Sequence, residues 1–127
     1  KKVLVIASTK IYFLFKYILL DPRTMLTIDP NALRDNAAQA SQLLKALSHP
    51  DRLMLLCRLA EGERSVSELE PLVEVYQPSL SQQLGILRRE GLVSSRREGK
   101  QMFYQVANPD ALAVLNVLYQ RFCGDTP

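Results

Sequence analysis

From residue 31 onward the apolar positions recur at helical spacing. Leu33, Ala37, Ala40, Leu44 and Leu47 make one stripe and predict a helix over residues 31–47. "SHPDRLMLLCRLAEGE" predicts a second, with Ser48 as N-cap, Pro50 in the first turn where no N–H is needed, and Gly62 just past its end. "SVSE" at 65–68 has the form of a capping box, so a short helix is expected over Val66–Val73. In "QPSLSQQLGILRREG" Pro78 stands at the first helical position, Leu80, Leu84 and Leu87 form the apolar stripe, and Gly91 ends it. Ser79, Ser81, Gln82 and Gln83 are left pointing away from that stripe. The period then falls to two. "LVSSRREGKQMFYQV" predicts two strands about the turn Glu98-Gly99, with Met102, Tyr104 and Val106 on one face. Asn108 and Pro109 open a last helix that runs to about Cys123. The pattern is mainly α with a small β-hairpin, in the order α-α-α-α-β-β-α.

A chain of 127 residues makes one domain with a modest core, near the size at which a second subunit helps. Its net charge of +3 and sequence pI of about 9.0 are unevenly placed. Residues 1–24 carry Lys1, Lys2, Lys10, Lys16 and Arg23 against Asp21, whereas residues 25–127 hold 11 basic and 12 acidic side chains. Any nucleic-acid footprint is therefore local. The stretch "VLVIASTKIYFLFKYILL" has 14 apolar or aromatic positions in 18, but Lys10 and Lys16 interrupt it, and each costs roughly 2.5–3.5 kcal/mol near a bilayer centre. We expect residues 1–24 to be an added apolar and basic segment, either a leader or upstream translation, and residues 25–127 to be the domain. No membrane association is expected.

The local footprint is present. A short capped helix, a tight turn and a second helix that starts with small polar residues form a helix-turn-helix pattern. Gln77, Ser79, Ser81, Gln82 and Gln83 suit base edges and phosphates in a major groove about 12 Å wide. Between Ile86 and Gln101 five cations stand against two anions. Of these, Arg88, Arg96, Arg97 and Lys100, together with Gln101, are expected to contact the phosphate backbone, with Arg89 beside them. These features in this order predict a winged helix-turn-helix.

With those motifs in place, the chain resembles the ArsR family of bacterial winged-helix repressors, over roughly residues 35–123. "LSHPDRLMLL", "SLSQQLGILRREGLV" and the "REGKQMFY" wing carry the resemblance. It implies a cytoplasmic homodimer, joined through its first and last helices, on a palindromic double-stranded DNA operator. It also implies that the helix from Pro78 reads the major groove, and it implies no enzymatic activity and no cofactor.

Many ArsR relatives sense metals, but the residues here do not fit their sites. Ser65-Val66-Ser67 stands where one class has a cysteine pair, the last helix has no histidine, and the chain's one histidine is His49. The nearer resemblance is to the dithiol branch, the BigR/SqrR/HlyU-like regulators. These carry one cysteine in an "LMLLC" context and one in a "YxxFC" context, matched here by Cys57 and Cys123. The resemblance implies that persulfides or polysulfides join the two as a disulfide or longer sulfur bridge and release DNA. Cys57 shares a stripe with Leu53, Leu56 and Ala60, and is expected to be shielded; Cys123 aligns with Leu112, Asn116 and Tyr119. A direct disulfide needs Cα atoms within about 7 Å. Three other readings stay open: a metal-responsive repressor, two inert cysteines packed as small hydrophobes, and, remotely, a thiol enzyme.

Overall fold

The computed structural model describes residues 29–124. The expected segment at residues 1–24 lies outside them. The chain divides into two units, residues 1–39 and 40–127. Of the first, the described part is residues 29–39, the start of helix α1 (Pro30–Leu47); Asp29 accepts the Asn31 N–H through its side chain there, at 3.1 Å.

The second unit continues through α2 (Pro50–Ala60), β1 (Arg64–Ser65), α3 (Val66–Val73), α4 (Ser79–Arg89), β2 (Val93–Glu98), β3 (Gln101–Val106) and α5 (Pro109–Phe122). The expected helices and hairpin are all found, with corrections at three junctions. The N-cap of α2 is His49, not Ser48: its Nδ1 accepts the Asp51 N–H at 3.2 Å. Pro50 then takes the first helical position and holds the preceding residue in the extended region. Ser48 instead donates its hydroxyl to the Lys45 carbonyl at the end of α1. Likewise Pro78 is the N-cap of α4 rather than its first residue, and Gln77 Oε1 accepts the Ser81 N–H at 3.1 Å. The third correction is a missed strand. β1 pairs antiparallel with β3, Arg64 opposite Tyr104 and Ser65 opposite Phe103, giving a three-stranded sheet of order β1-β3-β2. Two residues are too few to show a period.

The capping box of α3 is complete. Ser65 Oγ accepts the Glu68 N–H at 3.2 Å, and Glu68 Oε1 accepts the Ser65 N–H at 3.0 Å. Gly91, at φ 74°, closes α4 in a left-handed conformation that an L side chain adopts at a cost, and Leu92 N–H reaches back to Leu87 C=O at 2.9 Å. The wing turns through Gly99 and Lys100, with Glu98 opposite Gln101.

One core joins these elements. Leu55, Leu56 and Leu59 of α2 pack with Leu69 and Val73 of α3, Leu80, Leu84 and Leu87 of α4, Leu92 and Val93, and Ala111 and Leu115 of α5. The α4 stripe is fully enclosed, at 0% exposure for each of its three leucines. The α1 stripe is not: Leu44 is 57% exposed and only Leu47 at its end is buried. Leu84→Ala is expected to destabilise by about 2–5 kcal/mol and Ser65→Ala by about 0.5–2 kcal/mol, each read from urea unfolding. A loss under 0.5 kcal/mol for Leu84→Ala contradicts the enclosed stripe.

Candidate functional site

Because α4 buries Leu80, Leu84 and Leu87, its opposite face is turned outward. Ser81, Gln82, Arg88 and Arg89 are exposed there, and with Gln83, Gly85 and Ile86 they line an open groove of about 820 Å³. A second groove, of about 380 Å³, runs from the turn before α4 to the wing. Gln77 and Ser81, Lys100 and Gln101, and Ser67 and Glu70 are among the residues that line it. Turn, helix and wing tip thus converge on one surface. Ser79 is half-buried at the first turn of α4.

Two of the expected contacts are engaged within the protein. Gln83 Oε1 accepts from Arg52 Nη1 at 3.0 Å. The same guanidinium donates to the Ala46 carbonyl at 2.6 Å and the Lys45 carbonyl at 3.3 Å. Arg52 therefore fastens α4 to the end of α1, and Gln83 is half-buried behind the exposed Gln82. Arg96 is held more fully. Its Nε and Nη2 donate to Glu63 at 2.9 and 2.6 Å and its Nη1 to Glu98 at 2.8 Å, and it lies over the Phe103 ring at 4.6 Å. Those bonds hold the Glu63 carboxyl below its usual range and Arg96 above its own. Arg96 braces the wing against the loop before β1. Its neighbour Arg97, one position on, projects to the other face and forms no ion pair among the described residues. Sequence reasoning missed Arg52 and Glu63, whose partners lie 31 and 33 residues away and leave no local signal.

The cysteines lie away from that surface, Cys57 on α2 and Cys123 just past the end of α5. Leu55, Leu56 and Leu59 define the buried face of α2, and Cys57 stands nearly opposite Leu55 and Leu59 at 100° per residue. The expectation of a shielded thiol is therefore corrected: Cys57 is exposed, as is Cys123, and the two are not joined in a disulfide. Cys57 forms part of the wall of an open cavity of about 670 Å³, with Ala60 and Glu61 beside it and Pro109, Leu112, Ala113, Leu115, Asn116 and Tyr119 across from it. The strip Leu112, Asn116, Tyr119 is the one that Cys123 continues. The two sulfurs are close enough for their charges to interact. Partial burial, then the Cys123 thiolate and Glu61, push the Cys57 thiol up, against a smaller opposing pull from Arg58.

Among the described residues no group of three or more His, Cys, Asp or Glu is placed to hold a metal ion, and the Nδ1 of His49 is committed to its cap. No helix among them is long and apolar enough to cross a membrane.

Residues 49–95, from the α2 cap to the first strand of the wing, match the family described as "Bacterial regulatory protein, arsR family". The biofilm growth-associated repressor of Agrobacterium fabrum is 51% identical over 93 residues, covering 73% of this chain and 80% of that protein. The chain belongs to the arsR family. The crystal structure of the transcriptional repressor BigR from Xylella fastidiosa superposes with a TM-score of 0.70 at 48% identity, over 76% of this chain and 98% of that one. Reduced HlyU from Vibrio cholerae gives a TM-score of 0.69 at 40% identity, over 72% and 96%. This arsR-family protein is thus a winged helix-turn-helix DNA-binding regulator of the BigR and HlyU type, and not an enzyme.

In this arsR-family regulator, phosphate contacts are separable from wing bracing by salt. Arg97→Ala and Lys100→Ala are each expected to reduce the slope of log affinity against log salt by about 1. Arg96→Ala is expected to keep the slope and lower the melting temperature. A slope that falls for Arg96→Ala alone contradicts the assignment. The Cys57 thiol gives a second expectation. A raised pKa means little thiolate at pH 7 and an alkylation rate that climbs with pH. Glu61→Gln removes an anion and frees Arg58, so Cys57 alkylation at pH 7 is expected to accelerate. An unchanged or slower rate, followed by intact mass, refutes the electrostatic cause.

Proposed function

We propose that the protein is a transcriptional repressor that binds a palindromic operator as a homodimer and releases it when a persulfide or polysulfide bridges Cys57 and Cys123. The observation that carries this reading is that Cys57 on α2 and Cys123 at the end of α5 lie near enough for the charge of Cys123 to act on the Cys57 thiol. Of the named relatives, the biofilm growth-associated repressor favours repression, and the structure of reduced HlyU favours a redox-defined state. Homodimerisation is supported by apolar side chains left open on the first and last helices: Leu44 at 57%, Val117 at 58% and Phe122 at 82% exposure.

The chemistry balances without further reagents. The Cys57 thiolate attacks the outer sulfur of R–S–S–H. The donor S–S bond breaks, RSH leaves with its proton, and Cys57–S–S–H results. Cys123 then attacks the Cys57 Sγ and expels hydrogen sulfide, which carries off the two electrons lost by the thiols. If the Cys57 persulfide first takes a second sulfur, attack by Cys123 on the middle sulfur gives a trisulfide and again expels hydrogen sulfide.

The bridge ties α5 to α2, and α2 packs directly on α4. In a dimer whose recognition helices must sit about 34 Å apart, a displacement of α2 alters that spacing. On treatment with sodium tetrasulfide, the intact mass is expected to show an internal Cys57–Cys123 product, and affinity for the protein's own upstream DNA is expected to fall at least tenfold, about 1.4 kcal/mol. Cys57→Ser and Cys123→Ser proteins are expected to keep their affinity. If these variants release DNA as the parent does, the switch lies elsewhere.

A further inference from the structure

We infer that the cavity beside Cys57 is a binding site for the apolar, uncharged body of the sulfur donor, so that the protein responds to hydrophobic persulfides in preference to charged, hydrophilic ones. This rests on the thiol switch proposed above and adds the chemical class of its inducer.

The shape and lining of the site carry the inference. Its volume of about 670 Å³ lies within the few hundred to a thousand Å³ typical of small-molecule sites and far exceeds the need of one sulfur atom. Opposite Cys57 the wall is Pro109, Leu112, Ala113 and Leu115, with Tyr119 also in the lining. An apolar group stacked there leaves water at about 25 cal/mol per Å². Two polar side chains enter. Asn116 can hydrogen-bond a neutral head, whereas the Glu61 carboxylate is already held by Arg58 and Arg64, each at 3.3 Å. No cation in the lining is therefore left to receive an anionic donor such as a glutathione derivative, and its carboxylates would lose water without a partner. Partial burial is the first cause of the raised Cys57 thiol, consistent with apolar side chains beside it. The donor's sulfane sulfur reaches Cys57 while its body lies along α5, and the thiol released on transfer remains beside apolar residues until it leaves.

The test compares benzyl hydropersulfide with glutathione hydropersulfide, each rate of Cys57 modification divided by that donor's rate with free cysteine. The normalised benzyl rate is expected to be at least about tenfold higher. Leu112→Asp, at a position 40% exposed and so tolerant of a polar side chain, is expected to abolish the preference. Binding without reaction is read in the Cys57→Ser/Cys123→Ser protein. Benzyl methyl sulfide is expected to shift the amide resonances of Ala60, Leu112, Ala113 and Tyr119 in a saturable way. Equal normalised rates, or no shifts, overturn the inference while tetrasulfide still bridges the cysteines and releases DNA. Shifts that follow protein concentration rather than the sulfide mean that a second copy covers the cavity, and also overturn it. A benzyl preference without any loss of DNA binding instead refutes the switch and leaves the binding site standing.

Discussion

Helix α2 is 11 residues long and has one face to bury, yet α3, α4, β3 and α5 all pack on it. Leu55, Leu56 and Leu59, at 0%, 0% and 3% exposure, are the shared surface, and the other elements take their positions from it. Close-packed interiors transmit displacement rather than absorb it, so α2 cannot shift without its neighbours. The same helix carries Arg52 at its start, gripping Gln83 of α4, and Cys57 on its outer side. In the switch proposed above, a chemical event at the outer face reaches α4 through this packing. No separate signalling element is needed.

Charge is organised by the same economy of placement. The domain has almost no net charge beyond residue 24, so its interface arises from which cations are neutralised and which are left open. Arg96 is paired with Glu63 and Glu98, and Arg64 faces Glu61 and Glu68. Arg97 and Lys100 on the wing, and Arg88 and Arg89 at the end of α4, have no such partners among the described residues. The two classes alternate along the wing because successive strand residues point to opposite faces. One arginine of the Arg96-Arg97 pair therefore stabilises the wing and the next reaches outward.

Most of the architecture was legible because it is written in local patterns. The α4 stripe, the Ser65–Glu68 box and the alternation Met102, Tyr104, Val106 each need only a few neighbouring residues to be read. What escaped depends on distance or on competition. β1 exists only because β3 passes beside it. Ser48 and His49 could each cap α2, and Pro50 decides between them through its demand on the residue before it. The site divides in the same way. Residue type alone points to Gln77, Ser81, Lys100 and Gln101, which share one groove, whereas Gln83 and Arg96 have partners more than thirty residues away. The stripe that points Cys57 inward joins Leu56, which is buried, to Ala60, which is not. A helix of this length has two edges to its apolar face, and only the packed structure shows which one the core occupies.

In the proposed switch, bridging α2 to α5 changes the separation of the two recognition helices in the dimer. Pulsed electron spin resonance measures this directly, with a nitroxide on p-acetylphenylalanine introduced at Glu90, which is exposed at the end of α4 and leaves both cysteines free. One narrow distance distribution is expected in the reduced protein and, after tetrasulfide, a distribution displaced by several ångströms in step with loss of DNA binding. Superposable distributions from reduced and bridged protein, with DNA binding lost in the second, would contradict it.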